Sequence, residues 1–288
     1  MPVESSVWIE ELYEVEHGRT MKLKVTNRLA TYDSKFQRIE IYDTKAFGRM
    51  LVLDGVFMTT EVDEMGYHEM LVHVPMCVHP NPRRVLVIGG GDGGTLREVL
   101  KHKEVEKADI CEIDGDVIRL CREYMPALSC SFDDPRVTIY TEDGAKFIAE
   151  RKKAYDVILV DSSDPIGPAA VLFSEEFYKN LSECLDDDGI ASTQSESIFY
   201  HPDVIITLAQ YNKKYFKVPL YYYTMVPTYP SGMIGFSFCS KKYHPINDLK
   251  EEKAKALVKQ LRYYNPDIHK GAFALPQFIR KKLEGILY

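Results

Sequence analysis

Five acidic residues stand where a parallel sheet would gather them: Asp92, Glu112, Asp143, Asp161 and Asp164. Asp92 lies inside the run Gly89-Gly90-Gly91-Asp92-Gly93-Gly94, directly after the apolar stretch Val85–Ile88. Glycines at such a junction let the backbone turn tightly and approach a ligand with no Cβ in the way. Glu112 closes the next strand-like stretch, 20 residues after Asp92, where a carboxylate can accept both hydroxyl protons of an adenosine ribose. Asp143, in Glu142-Asp143-Gly144, follows the third strand-like stretch and is placed to accept the exocyclic amine of adenine. Asp161-Ser162-Ser163-Asp164-Pro165 follows the fourth, where turn and cap chemistry competes for both acids. The glycine run fits two cofactor classes. Gly89, Gly91 and Gly94 match the spacing of dinucleotide binders, and Gly89, Gly91 and Gly93 match the loop of adenosylmethionine binders. A pyrophosphate is anionic and has no use for so many acids, and no hydride-site residues are apparent. Carboxylates converging on one crevice repel one another unless their ligands are cationic or rich in hydroxyls. A sulfonium nucleoside with a diamine meets that demand.

Strands and helices must alternate to bring these positions together. Val85–Ile88, Ala108–Ile113, Val137–Tyr140, Tyr155–Val160 and Ile190–Thr193 read as strands. Helical stretches follow them at Thr95–Lys101, Val117–Tyr124, Ala145–Arg151 and Glu175–Leu185, with Asp186–Gly189 as a turn. The pattern predicts a doubly wound α/β sheet whose ligands sit at the carboxyl ends of its strands. Ahead of it, residues 1–65 read as an antiparallel β unit without a helix, with a two-residue hairpin at Asp54-Gly55. Residues 66–288 form the catalytic unit. Its first helix carries Tyr67, Met70, Leu71 and Val74 on one face, and Pro75 is expected to kink or end it. Val218–Thr224 and Met233–Ser240 read as a final strand pair, and Leu249–Tyr263 and Pro276–Leu287 as two closing helices.

With 45% hydrophobic and 27% charged residues in 288, the chain has ordinary globular usage, which excludes disorder, collagen and coiled coil. A net charge of −7 argues against a nucleic-acid groove and suits cationic small molecules. No apolar run is long enough to span a bilayer, and the first residues carry no signal-like segment. Six scattered cysteines without a Cys-x-x-Cys pair fit reduced thiols, so a cytoplasmic location and no protein metal site are expected.

Several motifs together resemble the spermidine synthase family of polyamine aminopropyltransferases. They are Leu51–Gly55, Tyr67-His68-Glu69-Met70, Val87–Glu98, Asp161–Pro165 and Pro227–Gly232, and they span nearly the whole chain. The resemblance implies a Rossmann-like class I methyltransferase fold with a small N-terminal antiparallel β domain. It implies transfer of the aminopropyl group of decarboxylated adenosylmethionine, a co-substrate, to putrescine, with no cofactor. It further implies Asp161 as general base with Tyr67 beside it. Gln37, His68, Asp92, Glu112, Asp143, Gly144 and Pro168, with the loop glycines Gly89, Gly91 and Gly93, would hold the donor. Asp164, Tyr229, Gln194, Glu196 and Trp8 would face the diamine. A homodimer or homotetramer is the implied assembly. An amine methyltransferase, or a transferase using agmatine or cadaverine, is the competing expectation.

Overall fold

The computed structural model describes residues 7–288; the first six residues of the expected β unit lie outside them. Two sheets account for the architecture. The first runs β1 (Val7–Glu10), β2 (Lys22–Asp33), β3 (Arg38–Thr44), β4 (Arg49–Leu53) and β5 (Val56–Thr60), antiparallel throughout and in sequence order. Alternation in β3 sends Ile39 and Ile41 fully inward. Asp54 and Gly55 both take positive φ, 48° and 83°, and so close the β4–β5 hairpin as expected. A single 3₁₀ turn at Val15–His17 interrupts this otherwise helix-free unit.

Helix α1 (Glu64–Val78) follows β5 and is buried on nearly all sides. It continues past Pro75 rather than ending there. Pro75 sits in the last turn, where few intrahelical bonds remain to be lost, and packing on all faces holds the rod. After it come β6 (Arg84–Gly89), α2 (Gly94–Val99), β7 (Lys107–Cys111), α3 (Gly115–Tyr124), α4 (Pro126–Ser129), β8 (Val137–Tyr140), α5 (Gly144–Ala149), β9 (Tyr155–Asp161), α6 (Glu175–Cys184) and β10 (Leu185–Gln194). Helix α7 (Pro202–Tyr215), β11 (Val218–Met225), β12 (Met233–Ser240), α8 (Glu251–Leu257), α9 (Pro266–Gly271) and α10 (Gln277–Leu283) complete the chain. The second sheet has the order β11-β12-β10-β9-β6-β7-β8. Strands β6 to β10 are parallel and β12 runs against both its neighbours. This is the Rossmann-like doubly wound arrangement, and its order reverses between β6 and β9, which opens a crevice above their carboxyl ends.

Three local readings are corrected. Asp186–Gly189 is not a free turn but part of β10, where the register slips between Leu185 and Ile190. Helix α7 was not anticipated, although Pro202 at its first position is a start signal. The helix expected over Leu249–Tyr263 ends early, in a 3₁₀ turn at Val258–Gln260. The backbone N–H groups of Arg262, Tyr263 and Tyr264 instead donate to the buried Glu69 carboxylate at 2.9, 2.9 and 2.8 Å. A carboxylate collecting three amides outcompetes another helical turn. Among the described residues no helix is long and apolar enough to cross a membrane, and no group of three His, Cys, Asp or Glu side chains is arranged to hold a metal ion.

Candidate active site

The carboxyl ends of β6, β7, β8 and β9 open into a cleft of about 1110 Å³, mouth included. Gly89 ends β6 with φ of +77°, and a Cβ there would lie 2.1 Å from the Asp161 carbonyl oxygen, so no other residue fits between the two strands. Glu112 is locked at the end of β7: one oxygen accepts the Gly91 N–H at 3.2 Å and the other the Asp114 N–H at 2.9 Å. Burial raises its carboxyl to about 7, with these two amides acting the other way. Asp114 in turn caps α3 and accepts from Gln37 Nε2 at 3.1 Å and Ser34 Oγ at 2.7 Å, which ties the N-terminal sheet to the cleft wall. Asp143 uses Oδ1 to cap α5 through the Ala145 and Lys146 amides. Its other oxygen lies 4.0 Å from the exposed Lys146 ammonium.

The glycine-loop acid has a partner that the sequence did not announce. Asp92 Oδ1 accepts the Gly94 N–H at 2.6 Å, and Oδ2 lies 3.5 Å from His68 Nε2. His68 Nδ1 sits 2.6 Å from Glu64, whose carboxylate also takes Arg97 at 2.8 Å. Burial opposes an imidazolium here, yet the Asp92 and Glu64 carboxylates outweigh it and hold His68 well above its ordinary value. Burial likewise pushes Asp92 up, but His68, the Gly94 amide and Arg97 leave it below the usual carboxylate range.

Asp161, at the end of β9, accepts the Thr95 hydroxyl at 2.6 Å. Burial and the Asp92 charge raise it to about 6, while His68, Thr95 and Tyr67 moderate the rise. The buried Tyr67 hydroxyl is close enough to Asp161 to lower its carboxyl but makes no hydrogen bond of good geometry. Burial and the Asp161 charge keep it protonated far above neutral pH.

A second cleft, about 540 Å³ with its mouth, meets the first at Met58, Tyr67, Ser162, Ser163 and Tyr229. The Tyr229 hydroxyl donates to the Met58 carbonyl at 2.9 Å, and Asp63 pins the Tyr229 loop by accepting the Thr228 N–H and hydroxyl, each at 2.8 Å. Asp164, Gln194 and Glu196 line this second cleft together with Glu11, Tyr13, Glu14, Tyr200 and His201. Burial and the neighbouring Glu196 push the Asp164 carboxyl well above its usual range. His201 lies 2.9 Å from both Glu14 and Glu196, and these acids outweigh burial to raise it.

Gln37, Tyr67, His68, Gly89, Gly91, Asp92, Glu112, Asp143, Gly144, Asp161, Pro168 and Tyr229 all line the first cleft. Two residues of the expected set line neither cleft. Gly93 does not face the cleft; it caps α2 with φ of 90° and packs against Ser129 and Leu128, so its small size serves the α2–α4 contact. Trp8 is 55% exposed, on the edge strand β1 beside β2, and is not among the residues lining either cleft. The expected single five-acid crevice is two: Asp164 belongs to the second cleft, and the first has a cation of its own in His68. Glu11, Glu14 and His201 carried no local signal beyond the helix-start proline after His201.

Comparison with known proteins agrees with this geometry. Residues 64–251 match the family model of the spermine/spermidine synthase domain, and residues 7–61 that of the spermidine synthase tetramerisation domain. The polyamine aminopropyltransferase of Leptospira biflexa is 49% identical, across 95% of this chain and 97% of its own. That of Methanocaldococcus jannaschii is 47% identical, across 98% and 96%. A spermidine synthase solved with the transition state analogue AdoDATO superposes with a TM-score of 0.94 at 44% identity, covering 98% of this chain and 96% of that one. The spermidine synthase of Thermotoga maritima does so with a TM-score of 0.93 at 44% identity, covering 97% and 95%.

Proposed function

The chain belongs to the spermine/spermidine synthase family and is a polyamine aminopropyltransferase, and from that premise we propose that it makes spermidine by transferring the aminopropyl group of decarboxylated adenosylmethionine to putrescine. The observation that carries this reading is the meeting of two acid-lined clefts at the Asp161–Asp164 loop. One suits a nucleoside bearing a sulfonium and an ammonium, the other a diamine, and the reacting atoms meet at their junction.

The reaction is an in-line displacement. The lone pair of a neutral amine nitrogen forms a bond to the methylene carbon beside the sulfonium. The carbon–sulfur bond breaks, its electrons return to sulfur, and neutral methylthioadenosine leaves. The attacking nitrogen becomes neutral by first giving its ammonium proton to Asp161, whose raised carboxyl is ionised above about pH 6, because the adjacent sulfonium and burial lower the basicity of the amine. Tyr67, whose hydroxyl makes no hydrogen bond of good geometry within the protein, orients the nitrogen. Positioning supplies much of the rate, up to ~7–11 kcal/mol for aligned reactants.

On the donor side, Glu112 accepts the ribose hydroxyls and the free oxygen of Asp143 the adenine amine, with Gly144 and Pro168 along the base. Gln37 holds Asp114 and the adjoining wall. Asp92 pairs with the ammonium of the aminopropyl chain and repels the carboxylate of intact adenosylmethionine. Asp164, Gln194, Glu196 and Tyr229 face the diamine. A division near residue 65 into an N-terminal assembly unit and a catalytic unit belongs to the same proposal, as does a homodimeric or homotetrameric state.

Incubation with decarboxylated or intact adenosylmethionine, against putrescine, cadaverine and agmatine, tests this by mass analysis. Spermidine and methylthioadenosine from the decarboxylated donor are expected. A methylated amine from the intact donor, or a better acceptor than putrescine, rejects the assignment.

A further inference from the structure

The second cleft contains a cation belonging to the protein. His201 stands immediately before α7, its Nε2 2.9 Å from Glu14 Oε1 and its Nδ1 2.9 Å from Glu196 Oε2. A carboxylate oxygen within 2.9 Å of each ring nitrogen favours the protonated ring as an ion-pair partner, although Nδ1 makes no well-aligned hydrogen bond. Tyr13 packs on the same ring, with centroids 5.2 Å apart. The second Glu14 oxygen is taken by Arg19 through Nε at 3.0 Å, and the Arg19 guanidinium lies 3.7 Å over the Tyr200 ring.

The charges of the cleft can therefore be assigned in pairs. Arg19 and His201 offset Glu14 and Glu196. Burial and the neighbouring Glu196 favour the protonated form of Asp164, and a cation beside it would favour the ionised form. Glu11 is held by the N–H groups of Tyr13 and Glu14, at 2.9 and 3.5 Å. Glu196 Oε1 and Gln194 Oε1 are buried without a partner, so the cleft holds accepting capacity the protein itself leaves unused. That remainder matches the single ammonium a diamine brings when its other nitrogen is neutral and attacking. A triamine brings two.

We propose that His201 determines acceptor specificity: its side chain occupies the Glu14–Glu196 carboxylate pair that the additional ammonium of a triamine needs, and so restricts the acceptor to diamines. The inference rests on the assignment of this cleft to the acceptor.

His201→Gln and His201→Lys test it, with turnover and calorimetric titration of putrescine and of spermidine for each protein at saturating donor, and a separate donor titration at saturating putrescine. In His201→Gln the spermidine-to-putrescine ratio of kcat/KM should rise about tenfold or more, the size of one charge-assisted bond. In His201→Lys, where the cation is restored, the ratio should stay near that of the unaltered protein, and donor KM should be unchanged in both. An unchanged ratio in the Gln variant, or an equal rise in the Lys variant, overturns the proposal. Failure of the unaltered protein to use any diamine rejects the acceptor assignment instead. In that event the ratio of the two amines' affinities still decides whether His201 controls charge selection.

Discussion

His68 holds its Nε2 3.5 Å from Asp92 Oδ2, so the carboxylate inside the glycine loop is half of an ion pair rather than a free anion. The pair also faces Asp161, which Asp92 pushes up and His68 pulls down. One imidazolium thus serves two acids with different tasks, holding one ionised for binding and keeping the other titratable near pH 6.

Removing that imidazolium should be visible in the pH profile. In His68→Asn the Asp161 carboxyl loses the cation that lowers it while keeping burial and the Asp92 charge. The acid limb of kcat/KM, expected near pH 6 in the unaltered protein, should move up by about one unit. An acid limb that stays in place would mean another group sets it.

Asp161→Asn should lose turnover by roughly 10²–10⁴-fold, with donor affinity much less affected. Its effect on stability has the opposite sign. The folded value, about 6, lies above that of an unfolded aspartate. The group therefore favours folding at pH values below ~4, and that contribution disappears as pH rises through about 6. At pH 8 the neutral amide avoids the cost of a buried charge, so the variant should melt at or above the temperature of the unaltered protein. A marked drop in melting temperature at pH 8 would contradict the origin assigned to the shift.

Glu112 titrates at about 7 in the unliganded protein because it is buried. Both ribose hydroxyls can donate to it, one to each oxygen, only in its ionised form, because protonation turns one oxygen into a donor. Methylthioadenosine affinity should therefore fall about tenfold between pH 8 and pH 6, with proton release that grows over the same range. Calorimetry in buffers of different ionisation enthalpy reads both quantities. Glu112→Gln should bind more weakly and lose the pH dependence; an affinity independent of pH in the unaltered protein removes Glu112 from the ribose.

Above the Asp161 limb, turnover at subsaturating diamine should continue to rise toward alkaline pH. An alkylamine with a pKa near ~10 must lose a proton before attack, and the adjacent sulfonium pulls the apparent midpoint down. A fluorinated putrescine of lower basicity should shift this limb downward in step. A midpoint unmoved by diamine basicity would assign the limb to the enzyme.

The sequence by itself determined the strand alternation, the glycine turn at Gly89, and the acids at the ends of β7 and β9. Each depends on short-range rules: a two-residue strand period, a positive φ, a side chain one step beyond a strand. The pairing of Asp54 with Gly55 and the end-of-strand positions of Glu112 and Asp161 were legible for that reason. The tertiary structure alone decided that five acids divide between two clefts, that Gly93 packs against α4 rather than facing ligand, and that Trp8 lies outside. It also decided that His68 answers Asp92 and that Glu14 from the N-terminal segment meets His201 from the head of α7. Those relationships join residues far apart in the chain, and the charge state of each group follows from which carboxylates folding brings within a few ångströms and from how much water it removes around them. Local spacing encodes neither quantity.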